Sequence, residues 1–151
     1  IENFCNKIIT GKNAALTNEF MVIARIESLI LEQGLNDALI RAKAYIEAGS
    51  DGILIHSRKK DGKEVFEFMK KFRKIDKTTP LVVVPTSYNQ FKNQELSDEG
   101  ANIIIYANHL LRSSYPSMVN TAKSILENQR SSETDESLMS IKDILNLIPE
   151  S

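Results

Sequence analysis

The sequence has little with which to staple, charge or anchor itself. Among 151 residues there is one cysteine, Cys5, so there is no pair to bridge and no set of thiolates to hold zinc. That excludes a disulfide framework and points to a reducing compartment, the cytoplasm. Neither sign of charge is in excess: 19 basic against 20 acidic residues give a net charge of -1. Nucleic acid and anionic membrane, which select a basic surface, are therefore not expected partners. No apolar run approaches the length of a membrane span and no signal peptide opens the chain. With 42% hydrophobic and 26% charged residues, the composition is that of an ordinary globular domain able to bury a core.

The stretch FMVIARIES, residues 20–28, starts apolar and then introduces Arg25 and Glu27. A short run of apolar, β-branched residues marks a strand covered on both faces, as in parallel α/β sheets. Met21, Val22 and Ile23 are expected to form that buried part. The charges then fall near the carboxyl end of the strand, the rim where barrels and doubly wound sheets bind ligands.

Further strand-then-helix units follow. Residues 34–48 place Leu35, Ala38, Leu39, Ala42, Tyr45 and Ile46 at helical spacing and close on Gly49. DGILIHS, residues 51–57, predicts a second strand, and residues 62–75 a second helix with Val65, Phe66, Phe68, Met69 and Phe72 inward. PLVVVPT, residues 80–86, predicts a third strand, followed by a short helix over 93–99 before Gly100. ANIIIYAN, residues 101–108, predicts a fourth, feeding a long helix over 109–129 with Leu110, Leu111, Met118, Val119, Ala122, Ile125 and Leu126 apolar. Four such units in a row require parallel strands joined by right-handed crossovers. The fold class is therefore α/β.

The two ends differ from this pattern. Residues 1–10 read as a helix with Phe4, Ile8 and Ile9 inward and no strand before it, which suggests a start partway through a larger alternating fold. At the other end, 130–139 reads as a polar linker and 140–151 as a terminal amphipathic helix, with Ile141, Ile144, Leu145 and Ile148 in need of a surface to cover.

The four strand ends present Arg25 with Glu27, His56 with Ser57, Thr86, and Asn108 with His109. One cation, an imidazole and several neutral hydrogen-bonding groups on one face outline an anion site. Arginine suits a phosphoryl, phosphonate or carboxylate group through its planar fork, and histidine adds a donor whose charge responds near neutral pH. Each residue also has a structural reading. Arg25 and Glu27 can form an ion pair across the strand mouth, His56 can be a core histidine, His109 a helix-start residue, Asn108 an N-cap and Thr86 a strand terminator.

The segments VIARIESLI, GLNDALIRAKAYIEAGSDGILIHSRK, VVVPTSY and IIIYANHLLR resemble those of the phosphoenolpyruvate mutase and phosphonopyruvate hydrolase family, in the isocitrate lyase superfamily. The joint pattern of A-R-I-E and, about thirty residues later, I-L-I-H-S-R-K carries most of the likeness. Lyases of the superfamily end these two strands in R-T-D and P-E patterns, so Glu27 and His56 favour the phosphonate-handling branch. The resemblance implies the second half of a (β/α)8 TIM-type barrel over 1–129, four parallel strand-helix units, with a C-terminal helix after the linker. It also implies an enzyme that interconverts phosphoenolpyruvate and phosphonopyruvate, the C–P bond formation of phosphonate biosynthesis.

In such mutases the residues matching Arg25 and His56 contact the phosphoryl end of the substrate, so these two are the expected catalytic residues. Glu27, Ser57, Thr86 and Asn108 are the expected binding or supporting ones, with Glu27 orienting Arg25. The family's Mg2+ is expected to draw its ligands from the missing N-terminal half, with none in this chain, and the gating loop lies there too. A half-barrel alone is expected to be inactive and, with two open parallel edges, prone to aggregate. The resemblance further implies a homodimer or homotetramer that exchanges helices near this end. Two alternatives remain open: a phosphonopyruvate hydrolase, and a non-catalytic phosphate-binding or assembly module.

Overall fold

Four parallel strands pair in the order β1-β2-β3-β4, which is also their order along the chain. The computed structural model describes residues 1–17 and 19–148. Helix α1 (Glu2–Ala14) precedes strand β1 (Ile23–Ile26) and helix α2 (Gly34–Glu47). Strand β2 (Gly52–Ile55), helix α3 (Lys63–Ile75), strand β3 (Leu81–Val83), helix α4 (Asn93–Asp98) and strand β4 (Ile103–Ile104) complete a first unit, Ile1–Ala107. A second unit begins at Asn108, with helix α5 (His109–Asn128), a 3₁₀ helix (Ser132–Ser137) and helix α6 (Ile141–Leu145).

Register decides which side chains share a face. Arg25 pairs with Leu54 and Leu54 with Val82, while Ile26 pairs with Ile55 and Ile55 with Val83. Successive strand residues point to opposite sides, so Ala24, Ile26, Ile53, Ile55, Leu81 and Val83 form one face. These six pack into a single buried cluster with Ile8, Ala38, Ala42, Tyr45, Val65, Phe68, Met69 and Phe72 from the helices. The other face carries Ile23, Arg25, Leu54 and Val82, continuing to Ile103 at 42% exposure.

The strand expected to be covered on both faces is therefore found only at β3, whose three residues are all buried. In β1, buried Ala24 and Ile26 alternate with exposed Arg25. Met21, expected inside, is exposed and precedes the strand. The reason is geometric: the helices of this unit pack on one face, so β1 has a core face and a face that can hold a charge.

The lower ends of β1 and β2 are pinned by polar groups. Lys12 pairs with Asp51 at 2.7 Å, and the same carboxylate accepts the Val22 N–H at 2.7 Å. The hydrogen bond from Lys12 holds the Asp51 carboxyl below the usual carboxylate range. Helix α2 closes as its sequence predicts. Gly49, at φ +97°, takes the left-handed position after the helix, and Ser50 N–H reaches back to the Tyr45 carbonyl at 3.0 Å.

In α1 only Ile8 is buried. Phe4 rests against Tyr45 with ring centroids 4.6 Å apart, and Ile9, expected inward, is exposed.

The second unit begins inside the span read from the sequence as half-barrel, and its α5 buries none of its residues. Within this unit α5 meets the 3₁₀ helix through polar side chains, and Ser117, Asn120, Thr121 and Ser124 line a groove with Glu133, Thr134 and Ser137. The segment expected to be a polar linker contains that 3₁₀ helix. Hydroxyls hold it, Thr134 donating to the Ser131 carbonyl and Ser137 to the Thr134 carbonyl, each at 2.7 Å. Of the terminal helix expected over 140–151, α6 forms five residues, capped by the Ser140 side chain, which accepts the Asp143 N–H at 3.1 Å. Residues 149–151 lie outside the described residues. Among the described residues no helix is long and apolar enough to cross a membrane.

Candidate functional site

Arg25 is the one charged residue of β1, and it projects from the face opposite the helix layer. Glu27, two residues on and hence on the same side, is half-buried and accepts a hydrogen bond from the Arg25 Nε. A bond from Nε leaves the outer edge of the guanidinium, with its paired N–H groups, directed away from the glutamate. Glu27 thus orients the cation without occupying its whole fork.

His56 follows β2 directly. Ile55 before it packs in the helix-side cluster, and Ser57 after it bonds to Glu64 of α3, so the imidazole points to the face that carries Arg25. Its Nδ1 is buried and has no hydrogen-bond partner among the described residues. Burial lowers its pKa, the Arg25 charge lowers it further, Glu27 partly opposes, and Arg58 adds to the lowering. At neutral pH the ring is therefore uncharged, with one nitrogen able to donate and the other to accept. Arg25, Glu27 and His56 form one electrostatic group, and an oxyanion brought to it meets a fixed cation and a neutral donor.

The other expected residues divide. Ser57 is fully buried and committed to the protein, donating to the Glu64 carboxylate and accepting the Lys59 N–H at 3.0 Å. It supports the loop, and it faces away from Arg25. Thr86 is half-buried where β3 has already ended: its N–H donates to the Val84 carbonyl at 2.8 Å, a tight turn that breaks the strand alternation. Asn108 belongs to the second unit and stands, as foreseen, at the N-cap of α5, its carbonyl accepting the Arg112 N–H at 2.8 Å. It takes a left-handed conformation at φ 45° and its side chain caps nothing, because N-cap bonding requires an extended backbone. His109 is the first residue of α5.

Three features were not singled out in the sequence. Arg58 acts on His56 from the same loop, and the run H-S-R-K-K was its only signal. Ser28, fully buried, donates to Asp37 at 2.6 Å, and Arg41 holds the same carboxylate at 2.7 Å, fastening the segment after Glu27 to α2. Tyr88 is completely buried, with a hydroxyl that lies beside the Val84 backbone but completes no hydrogen bond to a described residue. Burial pushes its pKa up to about 12. No spacing rule marks any of these.

Among the described residues no group of three or more His, Cys, Asp or Glu side chains is placed to hold a metal ion. Glu27, the carboxylate nearest the site, is engaged by Arg25. The described residues of this chain do not by themselves fit a resident metal.

Comparison with known proteins agrees on one lineage. The family model described as phosphoenolpyruvate phosphomutase matches residues 1–126. A phosphoenolpyruvate phosphomutase of Tetrahymena pyriformis is 33% identical over 147 residues, 97% of this chain and 48% of that protein. A phosphonopyruvate hydrolase of Variovorax sp. (strain Pal2) is 37% identical over 148 residues, 97% of this chain and 50% of that one. A crystal structure of phosphonopyruvate hydrolase in complex with oxalate and Mg++ superposes with a TM-score of 0.87 at 37% identity, covering 97% of this chain and 51% of that one. The chain spans about half the length of the curated relatives it matches.

Proposed function

This chain belongs to the phosphoenolpyruvate phosphomutase family, and from that premise we propose that it supplies the phosphoryl-binding half of an enzyme interconverting phosphoenolpyruvate and phosphonopyruvate. The observation that carries the reading is the shared face of Arg25 and His56, with Glu27 steering the guanidinium. In the forward direction the enol C–O–P linkage breaks at the P–O bond and phosphorus bonds to the methylene carbon, while the enol oxygen becomes a ketone. No atom is gained or lost. The Arg25 fork meets the phosphoryl oxygens through this transfer, and neutral His56 donates one hydrogen bond to the same group. Such chemistry depends on positioned charge more than on covalent help. Thr86 serves as a secondary substrate contact.

A second reading keeps the same two residues and lets water attack phosphorus, giving pyruvate and phosphate from phosphonopyruvate. The identity of 37% to a phosphonopyruvate hydrolase favours giving it weight. In both readings Mg2+, which the related hydrolase structure holds, takes its ligands from residues outside this chain. The working protein is cytoplasmic and a homodimer or homotetramer.

Phosphorus NMR of phosphonopyruvate with the complete protein that carries this chain is the test. A phosphoenolpyruvate signal means mutase, and free phosphate means hydrolase. Neither product would reduce the site to a binding module. Arg25→Lys keeps a point charge but not the fork, so it should lower turnover by about 10²–10³-fold with the fold retained. Near-normal turnover in a folded Arg25→Lys protein would leave Arg25 as a structural ion pair only.

A further inference from the structure

The loop between β2 and α3 begins at His56 and is held at both ends of its course. At its root, Ser57 bonds to Glu64 and accepts the Lys59 N–H, and Lys59 pairs with Glu64 at 2.6 Å. At its tip the holding groups come from the neighbouring segment between β3 and α4. The Gln90 side chain donates to the Lys60 carbonyl at 2.7 Å. The Phe91 ring packs on Phe66 with centroids 4.6 Å apart, directly over Gly62. Gly62 is buried with φ +67°, and a Cβ built there would stand 2.7 Å from the Phe91 ring and 3.2 Å from Phe66. A side chain at that position would collide with the aromatic seat.

The segment that carries these groups has its own firm base. Tyr88 and Leu96, on either side of Gln90 and Phe91, are both fully buried. Asn93 accepts a hydrogen bond from Tyr106 just beyond β4. A rigid base and an aromatic seat are what a positioning element needs, because a loosely held loop lets a reacting group drift by an ångström.

We propose that Gln90 and Phe91, seated on Gly62, are positioning residues that hold the β2–α3 loop and thereby fix the imidazole at its root for the reaction. The proposal rests on the functional reading above. It gives the β3–α4 segment a role in the site through the loop that it holds. The charged groups that act on His56 are Arg25 and Glu27 from β1 and its end, and Arg58 from its own loop. None belongs to the latch, so a change in the titration of His56 on removing the latch reports the placement of the ring.

The experiment compares Gln90→Ala/Phe91→Ala with wild type in the complete protein. It measures kcat and KM with phosphonopyruvate and with phosphoenolpyruvate, thermal melting, and NMR titration of His56, whose signal is identified by its loss in His56→Gln. The latch predicts a fall in kcat of about tenfold or more. It also predicts a His56 titration shifted up towards the ordinary value of about 6.5 as water reaches the ring. Phe91→Tyr, which keeps the ring, should preserve both. Wild-type kcat with an unchanged titration overturns the proposal, and so does a lowered melting temperature with an unmoved titration. Should the double variant fail to fold, Gln90→Ala alone, at an exposed position, is judged by the same readouts. If wild type turns over neither substrate, the functional reading fails by itself, and the titration still decides the latch.

Discussion

His56 presents a buried ring nitrogen that no described residue satisfies, beside an arginine that a glutamate holds in place. A buried polar atom without a protein partner costs free energy unless a ligand or an ordered water completes it. The same burial has a consequence for pH. Because the folded pKa lies below the ordinary value of about 6.5, the unfolded chain binds a proton that the folded one refuses as pH falls below that value. The contribution is fully present above about 6.5 and is lost as pH falls through the folded pKa. Calorimetry of the complete protein from neutral pH downward should show an extra loss of stability below about pH 6.5 that His56→Gln lacks. A wild-type and variant difference that stays constant over that range would mean that the ring is no more buried than in the unfolded chain. Turnover should fall in His56→Gln at every pH.

At the scale of elements, two glycines make the contribution of backbone and of space separable. Gly49 ends α2 at φ +97°, and an added Cβ would meet only Lys12 Cγ at 3.7 Å, an ordinary contact. Gly49→Ala is therefore a conformational change alone, expected to cost about 1 kcal/mol. Gly52, in β2, has no such backbone requirement, but a Cβ there would lie 2.6 Å from Ile23 Cδ1 and 3.0 Å from the Pro80 carbonyl oxygen. The carbonyl belongs to the neighbouring strand's entry and cannot turn aside. Gly52→Ala should cost more, in the overpacking range of about 1–3 kcal/mol, by prising β2 from its neighbours. Urea unfolding of the two variants checks the order, and equal losses would contradict this division of causes.

At the scale of the whole molecule, most of the apolar surface left uncovered lies towards the carboxyl end. Ile141, Ile144, Leu145 and Ile148 are between 53% and 83% exposed, and Leu110, Leu111 and Met118 of α5 are exposed as well. In the homo-oligomer proposed above, a second copy would cover this apolar end in the complete protein. Ile144→Glu/Leu145→Lys should lower the mass measured by light scattering, because unpaired charge would enter an apolar contact. An unchanged mass with α6 still formed would place the helix on its own subunit. The outer edges of β1 and β4 pair with no described strand, and in isolation they make this chain prone to self-association.

The order and type of the elements were legible because each rests on local rules. Apolar spacing placed α2 and α3, glycine placed the end of α2, and the alternation of strands and helices required parallel pairing. Arg25 was visible as a charge inside an apolar strand, and His56 as an imidazole directly after one. The faces of the strands were not. A strand covered on both sides and one covered on a single side differ by what packs against them, and Arg25 inside β1 was settled by helices lying on one face only. Ser57 and Asn108 show the same limit: a half-buried carboxylate on α3 claimed one, and a left-handed backbone left the other at the N-cap without a side-chain bond. Composition and spacing determine which segments form and which residues can do chemistry. Contacts between segments distant in sequence decide where each side chain points, since packing and burial are properties of neighbours that the chain order does not name.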